Sequence, residues 1–496
     1  MDAFDLDAIV VGAGFAGLYM LRRLREQGLR ARLLEAGDQV GGTWFWNRYP
    51  GARCDFESHD YSYGFDDRLQ QEWTWTERYP GQPEILRYLN HVADRFGLRA
   101  DITLRARVTA AHYDEDGRRW TVQTDDGTVA SARFLIMATG ALSAPRVPDF
   151  PGLDSFRGRR FHTAAWPGEA VDFTGRRVAV IGTGSSGVQV ITEIAPRAAH
   201  LYVMQRTAGF VIPSWNRPLT DTEVRAVKDD YPAFRDRARE TFLGVYSRAS
   251  AGPSALAVPE AERTAEYEKA WSAGLGLLGI YGDLIIDQAA NDTLADFIRA
   301  KIAEIVTDPR TARLLSPRGY PVGPRTETAA YDVDDIVFAT GFDALTGPLL
   351  AIDIRGAGGR VLADEWSAGP ATYLGLAVSG FPNLFPIAGP GGPGVLTTVV
   401  RTIEHDVDWI TGLLGYMGDH GYATAEAGPG EQRAWGERVA AVAGATLFPR
   451  ANSWYLGANI PGKPRVFMPY AGGLPGYRQI CQDIADHGYR GFAFAR

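Results

Sequence analysis

The sequence predicts an α/β protein made of two Rossmann-like, dinucleotide-binding domains and a small helical subdomain. Three observations carry this reading. A strand–glycine loop–helix–strand unit opens the chain at residues 7–35 and recurs at residues 177–206. Two apolar strands end in the same Ala-Thr-Gly, at Phe134–Gly140 and Ile336–Gly341. A charged stretch from Thr220 to Trp271 has helical spacing and no chemical motif.

In the first unit, Asp7–Val11 (DAIVV) reads as a buried strand, and Gly12–Gly17 (GAGFAG) as the turn into a helix that runs to about Glu26. A second strand ends at Glu35. Gly12 permits the tight turn, Gly14 lets backbone approach a pyrophosphate at the helix N-terminus, and Gly17 lets helix and strand pack closely. Phe15, inside the loop, is counted among the cofactor contacts. Glu35 stands 23 residues after Gly12, where a carboxylate accepts a hydrogen bond from a ribose 2′-hydroxyl. This site suits FAD or NAD.

The second unit starts with the strand Arg177–Ile181 (RVAVI) and turns at Gly182–Gly187 (GTGSSG). Gly182, Gly184, Ser185, Ser186 and Gly187 form the cradle. The helix stops near Pro196, and the next strand ends at Arg206, 24 residues after Gly182. A cation therefore occupies the ribose position where the first unit has an acid. Arginine, with its fork of donors and permanent charge, suits a 2′-phosphate that Glu35 would repel. The first site is read as FAD-binding and the second as NADPH-binding; the ordinary alternative for Arg206 is a solvated surface arginine.

The two Ala-Thr-Gly strands return the chain to a dinucleotide fold and bring Thr139, Thr340 and Gly341 close to a cofactor. Their positions bracket the second unit. The expected organisation is a discontinuous FAD domain, residues 1–142 and 326–496, around an NADPH domain, residues 143–325, with a helical insertion at about 220–285 that covers a cleft.

Bulk properties narrow the function. With 59 acidic and 51 basic residues the net charge is −8, so a nucleic-acid partner has no electrostatic footprint. No apolar run is long enough for a membrane span. The acidic start, MDAFDLD, lacks the basic region of a signal peptide. Cys54 and Cys481 are the two cysteines; they exclude a disulfide framework, a CxxC redox pair and a cysteine zinc site. A reduced, cytoplasmic protein without a metal is expected. Nothing in the sequence sets an oligomeric state.

Two longer motifs carry a family resemblance. FRGRRFHTAAWP (Phe156–Pro167) fits F-x-G-x-x-x-H-x-x-x-W-P, and GGTWFWNRYPGARCD (Gly41–Asp55) fits G-G-x-W-x-x-x-x-Y-P-G-x-x-x-D. Both resemble type I Baeyer–Villiger monooxygenases. The likeness continues through YLGLAVSGFPNLF, GPGGPGVL and SWYLGANIPGKPRVFM (Ser453–Met468) and covers nearly the whole chain. It implies that NADPH reduces FAD, that O2 is captured as a C4a-peroxyflavin, and that this attacks a small-molecule ketone to give an ester or lactone. Such a site must exclude water and must offer a preorganised cation to the developing oxyanion.

The resemblance assigns residues one at a time. Asp55 matches the active-site aspartate that orients and tunes a catalytic arginine. Gly42, Thr43 and Trp44 fall where the family borders the flavin. His162 matches a histidine at the domain junction that affects domain motion. Gln205, Arg206 and Thr207 match contacts to the NADPH phosphate, and Trp454 matches a tryptophan that touches NADPH when a mobile loop closes. Gly389–Gly394 is expected to head a helix facing the flavin pyrimidine. Val395, Leu396 and Thr397 then border the substrate pocket, unless they are helix-facing core.

One departure bears on mechanism. The family's essential arginine, preceded by lysine, follows a segment like RGYPVG (Arg318–Gly323). Here the chain reads YPVGPRTETAAYDVDDIVFATG. About thirty residues are missing relative to the comparable connection at Leu104–Arg133. Either Arg325 is that arginine moved toward the second Ala-Thr-Gly strand, or RTETAAYDVDD matches the downstream strand and the arginine is gone. Arg53 is a further cation near Asp55. Three functions stay open: a ketone monooxygenase, a flavin oxygenase acting on nitrogen or sulfur, and an uncoupled NADPH oxidase or impaired nucleotide-binding homologue. A disulfide reductase is excluded, because it needs paired cysteines.

Overall fold

The computed structural model describes residues 5–206, 209–246, 252–274, 276–317 and 331–496. In chain order the strands are β1 (Asp5–Val11), β2 (Ala31–Leu34), β3 (Ile102–Thr103), β4 (Val108–Asp114), β5 (Arg119–Thr124), β6 (Val129–Met137) and β7 (Arg159–His162). There follow β8 (Arg177–Ile181), β9 (His200–Met204), β10 (Asp335–Phe338), β11 (Asp353–Arg355), β12 (Leu384–Pro386), β13 (Thr424–Ala427) and β14 (Phe492–Ala495).

The first sheet has eight strands in the order β11-β4-β5-β6-β1-β2-β3, with β12 also on β6. β1 is its centre, parallel to β2 and β6, with Val10 facing Leu33 on one side and Ile136 on the other. Ala8 to Val10 are fully buried, as a parallel strand covered on both faces requires. The Phe15–Glu26 helix follows β1 and ends with Arg23 and Arg25, cations that complement the negative end of its dipole. Its apolar face packs against the 22-residue Val399–His420 helix.

The second sheet, β7-β10-β8-β9, is wholly parallel. It repeats the heart of the first: β8 stands for β1, β9 for β2 and β10 for β6. In the first sheet β6 closes the antiparallel run β4-β5-β6. Among the described residues the second sheet has no counterpart of β4 and β5.

This pairing corrects the expected domain division. The second Ala-Thr-Gly strand, β10, does not join the first sheet; Val337 pairs with Val180 of β8 and Phe161 of β7. Asp335, fully buried, fastens it: its carboxylate receives Arg159 Nε at 2.7 Å and Arg176 Nη2 at 2.9 Å. The chain returns to the first sheet only after Gly341, through β11 on β4 and β12 on β6.

The helical segment also runs further than residue 285. Its core joins Tyr267 and Trp271 to Leu294, Phe297, Ile298 and Ile302 of the Gln288–Ile305 helix, followed by Pro309–Leu315. That apolar face, with Leu277, Tyr281 and Leu284, is what the Glu260–Ala273 helix packs on. The preceding Tyr231–Glu240 helix docks elsewhere. Its Arg235, 2% exposed, donates to Gln70, to Ser62 and to the carbonyls of His59 and Tyr63, all in the first domain. Among the described residues no helix is long and apolar enough to cross a membrane.

Candidate nucleotide-binding and active site

Both glycine loops are shaped by the absence of side chains. Gly12 has φ +104°, and a Cβ there would lie 2.6 Å from the Ala138 carbonyl oxygen of the first Ala-Thr-Gly. A Cβ on Gly17 would lie 1.8 Å from the Gly12 oxygen. Gly182 (φ +112°) meets the Ala339 oxygen in the same way at 2.2 Å, and Gly187 meets the Gly182 oxygen at 2.2 Å. Gly14 and Gly184 each stand immediately before a helix, Phe15–Glu26 and Ser185–Ile194. Around Gly184 the space is open, with Ser185 and Ser186 on the first turn. Two dinucleotide cradles of one design are therefore present, and the donors and clearances fit a pyrophosphate at each.

The acid and the cation sit where the sequence puts them. Glu35 is 4% exposed; Oε2 accepts the Ala13 N–H and Oε1 the Gly37 N–H, both at 2.7 Å. It thus braces the first loop as well as offering free lone pairs to a ribose. Gln205 and Arg206 follow β9 and are exposed, with the Thr183 hydroxyl donating to Gln205 at 3.3 Å. Thr207 lies outside the described residues.

The Gly41–Asp55 motif joins the two cradles. Gly41 N–H donates to the Ala13 oxygen at 2.9 Å, and Gly42 faces Gly14 so closely that a Cβ would come within 2.8 Å of its Cα. Thr43–Trp46 forms a short helix. In it Trp44 is buried, donating from Nε1 to the Tyr61 hydroxyl at 3.2 Å. Phe15 packs edge-on to the same Tyr61, ring centroids 5.2 Å apart. Tyr49 and Ala52 then enter the core of the second domain, beside Val190 and Ile194.

Gln189, on the Ser185–Ile194 helix, is the residue the sequence reading missed. Its Oε1 accepts from the Tyr49 hydroxyl at 2.8 Å, while Nε2 donates to the Arg53 carbonyl at 3.1 Å and to Asp55 Oδ1 at 3.4 Å. Gly51, φ +79°, makes room for the Gln189 carbonyl, 2.8 Å from where a Cβ would be. Asp55, exposed, is held at the contact between the two dinucleotide units.

Arg53 does not serve as a free cation beside Asp55. Its Nη1 donates to Glu77 Oε2 and to the Tyr79 carbonyl, each at 3.1 Å, fixing the chain turn where Arg53 bridges to Gly81. Arg325 and the stretch Gly323–Thr326 lie outside the described residues. Cys54 and Cys481 are free and buried, and burial pushes both thiols well up, which leaves them unreactive.

The two chain passages between the domains run side by side. Arg146 N–H donates to the Gly341 carbonyl, Asp343 N–H to Ala144, and Leu345 N–H to Ala141, all at 2.9 Å. His162 Nε2 and the Thr340 hydroxyl both point to the Arg146 carbonyl, at 3.0 and 2.6 Å. His162 thus stands at the junction, its imidazole held down in pKa by burial. Thr139 occupies the matching place at the end of the first Ala-Thr-Gly, its carbonyl accepting from Ser143 Oγ. The C-terminal segment grips the same junction: Asn459 Nδ2 donates to the Phe342 carbonyl at 2.7 Å and Lys463 pairs with Asp343. Trp454 opens the short helical turn just before it.

The expected helix at Gly389–Gly394 is not there. Those residues form a packed loop, with Gly391 N–H on the Met468 carbonyl at 2.7 Å, and the helix starts only at Val399. Four residues, Val395 to Thr398, separate the glycines from that helix, and the Leu396 N–H turns back to the Pro393 carbonyl at 2.8 Å. Val395 and Leu396 stay half-buried, but Thr397 is 2% exposed and its hydroxyl is shared with Thr402 at 2.8 Å; it is core rather than pocket wall. Asp406, fully buried, holds the approach to the loop by accepting the Ala388 N–H at 2.9 Å, and burial raises its carboxyl to about 7.

Two cradles, one suited to an adenine dinucleotide with free ribose hydroxyls and one to a phosphorylated ribose, meeting at the loop that carries Asp55, define a two-nucleotide flavoprotein oxidoreductase. The comparisons agree. Residues 9–232 match the family model described as pyridine nucleotide-disulphide oxidoreductase. A Baeyer–Villiger monooxygenase of Pseudooceanicola batsensis is 41% identical over 524 residues, covering 98% of this chain and 95% of that protein. The phenazine N-monooxygenase PhzNO1 of Lysobacter antibioticus is 39% identical over 530 residues, covering 99% and 97%. A solved oxidized steroid monooxygenase bound to NADP is 47% identical, with TM-score 0.93 over 99% of this chain and 100% of that one. This chain belongs to the FAD- and NADP-dependent Baeyer–Villiger monooxygenase family. An aligned span of 524 residues against a chain of 496 leaves at least 28 positions of the Pseudooceanicola protein with no counterpart here.

Proposed function

We propose that this enzyme consumes NADPH and O2 to insert one oxygen atom beside the carbonyl of a small-molecule ketone, with weak coupling between NADPH oxidation and ester formation. Bound FAD supplies the electron transfer and oxygen activation that no side chain here can perform. Gly12, Gly14 and Gly17 admit its pyrophosphate, Glu35 takes the ribose, and Gly42, Thr43, Trp44 and Thr139 line its approach. Gly182, Gly184, Ser185, Ser186, Gly187, Gln205 and Arg206 hold NADPH, with Thr340 and Gly341 beneath it, and Trp454 closes over it. Val395 and Leu396 face the substrate.

The observation that carries this reading is Asp55, held by Gln189 where the two dinucleotide units touch. Weak coupling follows from what is lacking. The negative charge that develops on the substrate oxygen needs a preorganised cation. Arg53 is committed to Glu77. The positions absent relative to the family fall, on our reading, between Gly323 and Thr326, and take the catalytic arginine with them.

The test is NADPH consumption by the FAD-loaded protein, with H2O2 and ester quantified in parallel across cyclic and steroid ketones. We expect H2O2 as the major product and little ester. Tight coupling to ester would overturn the coupling claim and make Arg325 the working cation. A second reading, oxygenation of an aromatic nitrogen, is favoured by the full-length match to a phenazine N-monooxygenase. That chemistry needs a protonated, electrophilic oxygen donor and no arginine; N-oxide from a phenazine, with no ester from any ketone, would establish it instead.

A further inference from the structure

Arg146 lies in the passage between the domains, sixty residues before Arg206, and no motif marks it. Its backbone is fixed from three directions: N–H to the Gly341 carbonyl, and carbonyl to His162 Nε2 and the Thr340 hydroxyl. These bonds pin it at the carboxyl end of β10. Arg206 stands two residues beyond the carboxyl end of β9. In the sheet, β10 and β9 flank β8, from whose end the Gly182–Gly187 loop departs. Neighbouring strands are about 4.8 Å apart, so the strand ends that carry the two arginines lie about 10 Å from each other on either side of the loop.

The two guanidinium groups feel each other. Burial and the charge of Arg206 both hold the Arg146 guanidinium below its ordinary pKa. Among the described residues neither has a carboxylate partner, whereas Arg159, Arg176 and Arg177 on the opposite end of the same sheet are all paired with Asp334 or Asp335. Two like-charged forks flanking one loop without a counter-charge suit a dianion between them.

We propose that Arg146 is the second arginine of a two-fork site for the ribose 2′-phosphate of NADPH, closing on it from the side opposite Arg206. This rests on the reading of Gly182–Arg206 as the NADPH site. It makes the domain passage a determinant of nucleotide choice, so that 2′-phosphate binding also bears on the segment that links the two sheets.

Binding of 2′-phospho-ADP-ribose and of ADP-ribose to the FAD-loaded protein tests it, by calorimetry on the parent, Arg146→Ala, Arg146→Lys and Arg206→Ala. We expect Arg146→Ala to weaken the phosphorylated ligand about tenfold to a hundredfold and to leave ADP-ribose unchanged. Arg146→Lys, which keeps the charge but not the fork, should recover part of the loss. If the parent itself does not distinguish the two ligands, the NADPH reading fails. Should the parent discriminate and Arg146→Ala discriminate equally well, the inference is overturned while that reading stands. Equal weakening of both ligands would also overturn it, by showing that Arg146 only supports the fold.

Discussion

Glu35→Ala removes one acceptor from each of two buried N–H groups, and the structure sets the scale of the effect. Ala13 and Gly37 both donate to the carboxylate at 2.7 Å, with Glu35 4% exposed. A buried donor left unpaired costs about 1–3 kcal/mol, so the pair costs about 2–6 kcal/mol. The vacated side-chain volume admits water that meets part of this demand, which brings the expected loss to about 2–4 kcal/mol. Glu35→Gln keeps one oxygen for one N–H and turns an amide donor toward the other, so it should lose about half as much. These losses belong to the protein before any cofactor binds. Urea unfolding of the FAD-free protein, with hydrogen exchange of peptides spanning Gly12–Leu18 and Glu35–Gly41, measures them directly, and FAD retention by ultrafiltration measures the ribose role separately. If Glu35→Ala weakens FAD binding but leaves the exchange of those amides and the unfolding midpoint of the FAD-free protein unchanged, the carboxylate does not brace the loop and the reasoning fails.

Asp55→Ala should retain FAD and lower ester formation about a hundredfold, the scale of a misplaced reacting group; ester at the parent rate would make Asp55 structural. Asp335→Asn strands two guanidinium groups that are 41% and 36% exposed, so water offsets part of the usual penalty for a broken buried pair. We expect a loss of about 1–3 kcal/mol, seen as nucleotide binding that melts at lower temperature than FAD release; an unchanged melting profile would refute it. Acid should destabilise the fold through His59 and His405. Burial lowers their pKa to about 4 and about 3, so both stay neutral in the fold while the unfolded imidazoles protonate as pH falls through 6.5. His405→Asn should therefore reduce the pH slope of stability, from about pH 6 to about pH 5, by about 1.4 kcal/mol per pH unit; an unaltered slope would show that His405 titrates normally.

Much of the candidate site was legible because backbone geometry forbids alternatives. Gly12, Gly17, Gly182 and Gly187 announce themselves: a single Cβ would strike a carbonyl oxygen, and no other residue fits. Asp55 was reached through a long motif with many fixed positions. Gln189 and Arg146 were not legible, since each acts by contacts across more than fifty residues of sequence and carries no local pattern. The sheet that receives β10 was misjudged for a related reason. A strand ending in Ala-Thr-Gly reads the same whichever glycine loop its carbonyl covers, and only pairing with β8 decides. At Gly389–Gly394 the glycines suggested a helix start, yet Gly391 takes φ +87° and gives its N–H to the distant Met468 carbonyl, so the segment folds as a loop and the helix begins at Val399.

The paired passages at 141–146 and 341–346 constrain how the second domain can travel. A single covalent connection acts as a swivel with several freedoms, whereas two connections cross-linked by three backbone hydrogen bonds act as a flat strap. A strap twists and flexes across its thin direction but resists shear, because sliding one passage past the other breaks all three bonds at once. At this strap, rotation of the NADPH unit over the flavin unit is easier than sliding. Asn459 and Lys463 grip Phe342 and Asp343 on the strap itself. The C-terminal segment can thus stay attached through Asn459 and Lys463 as the strap twists.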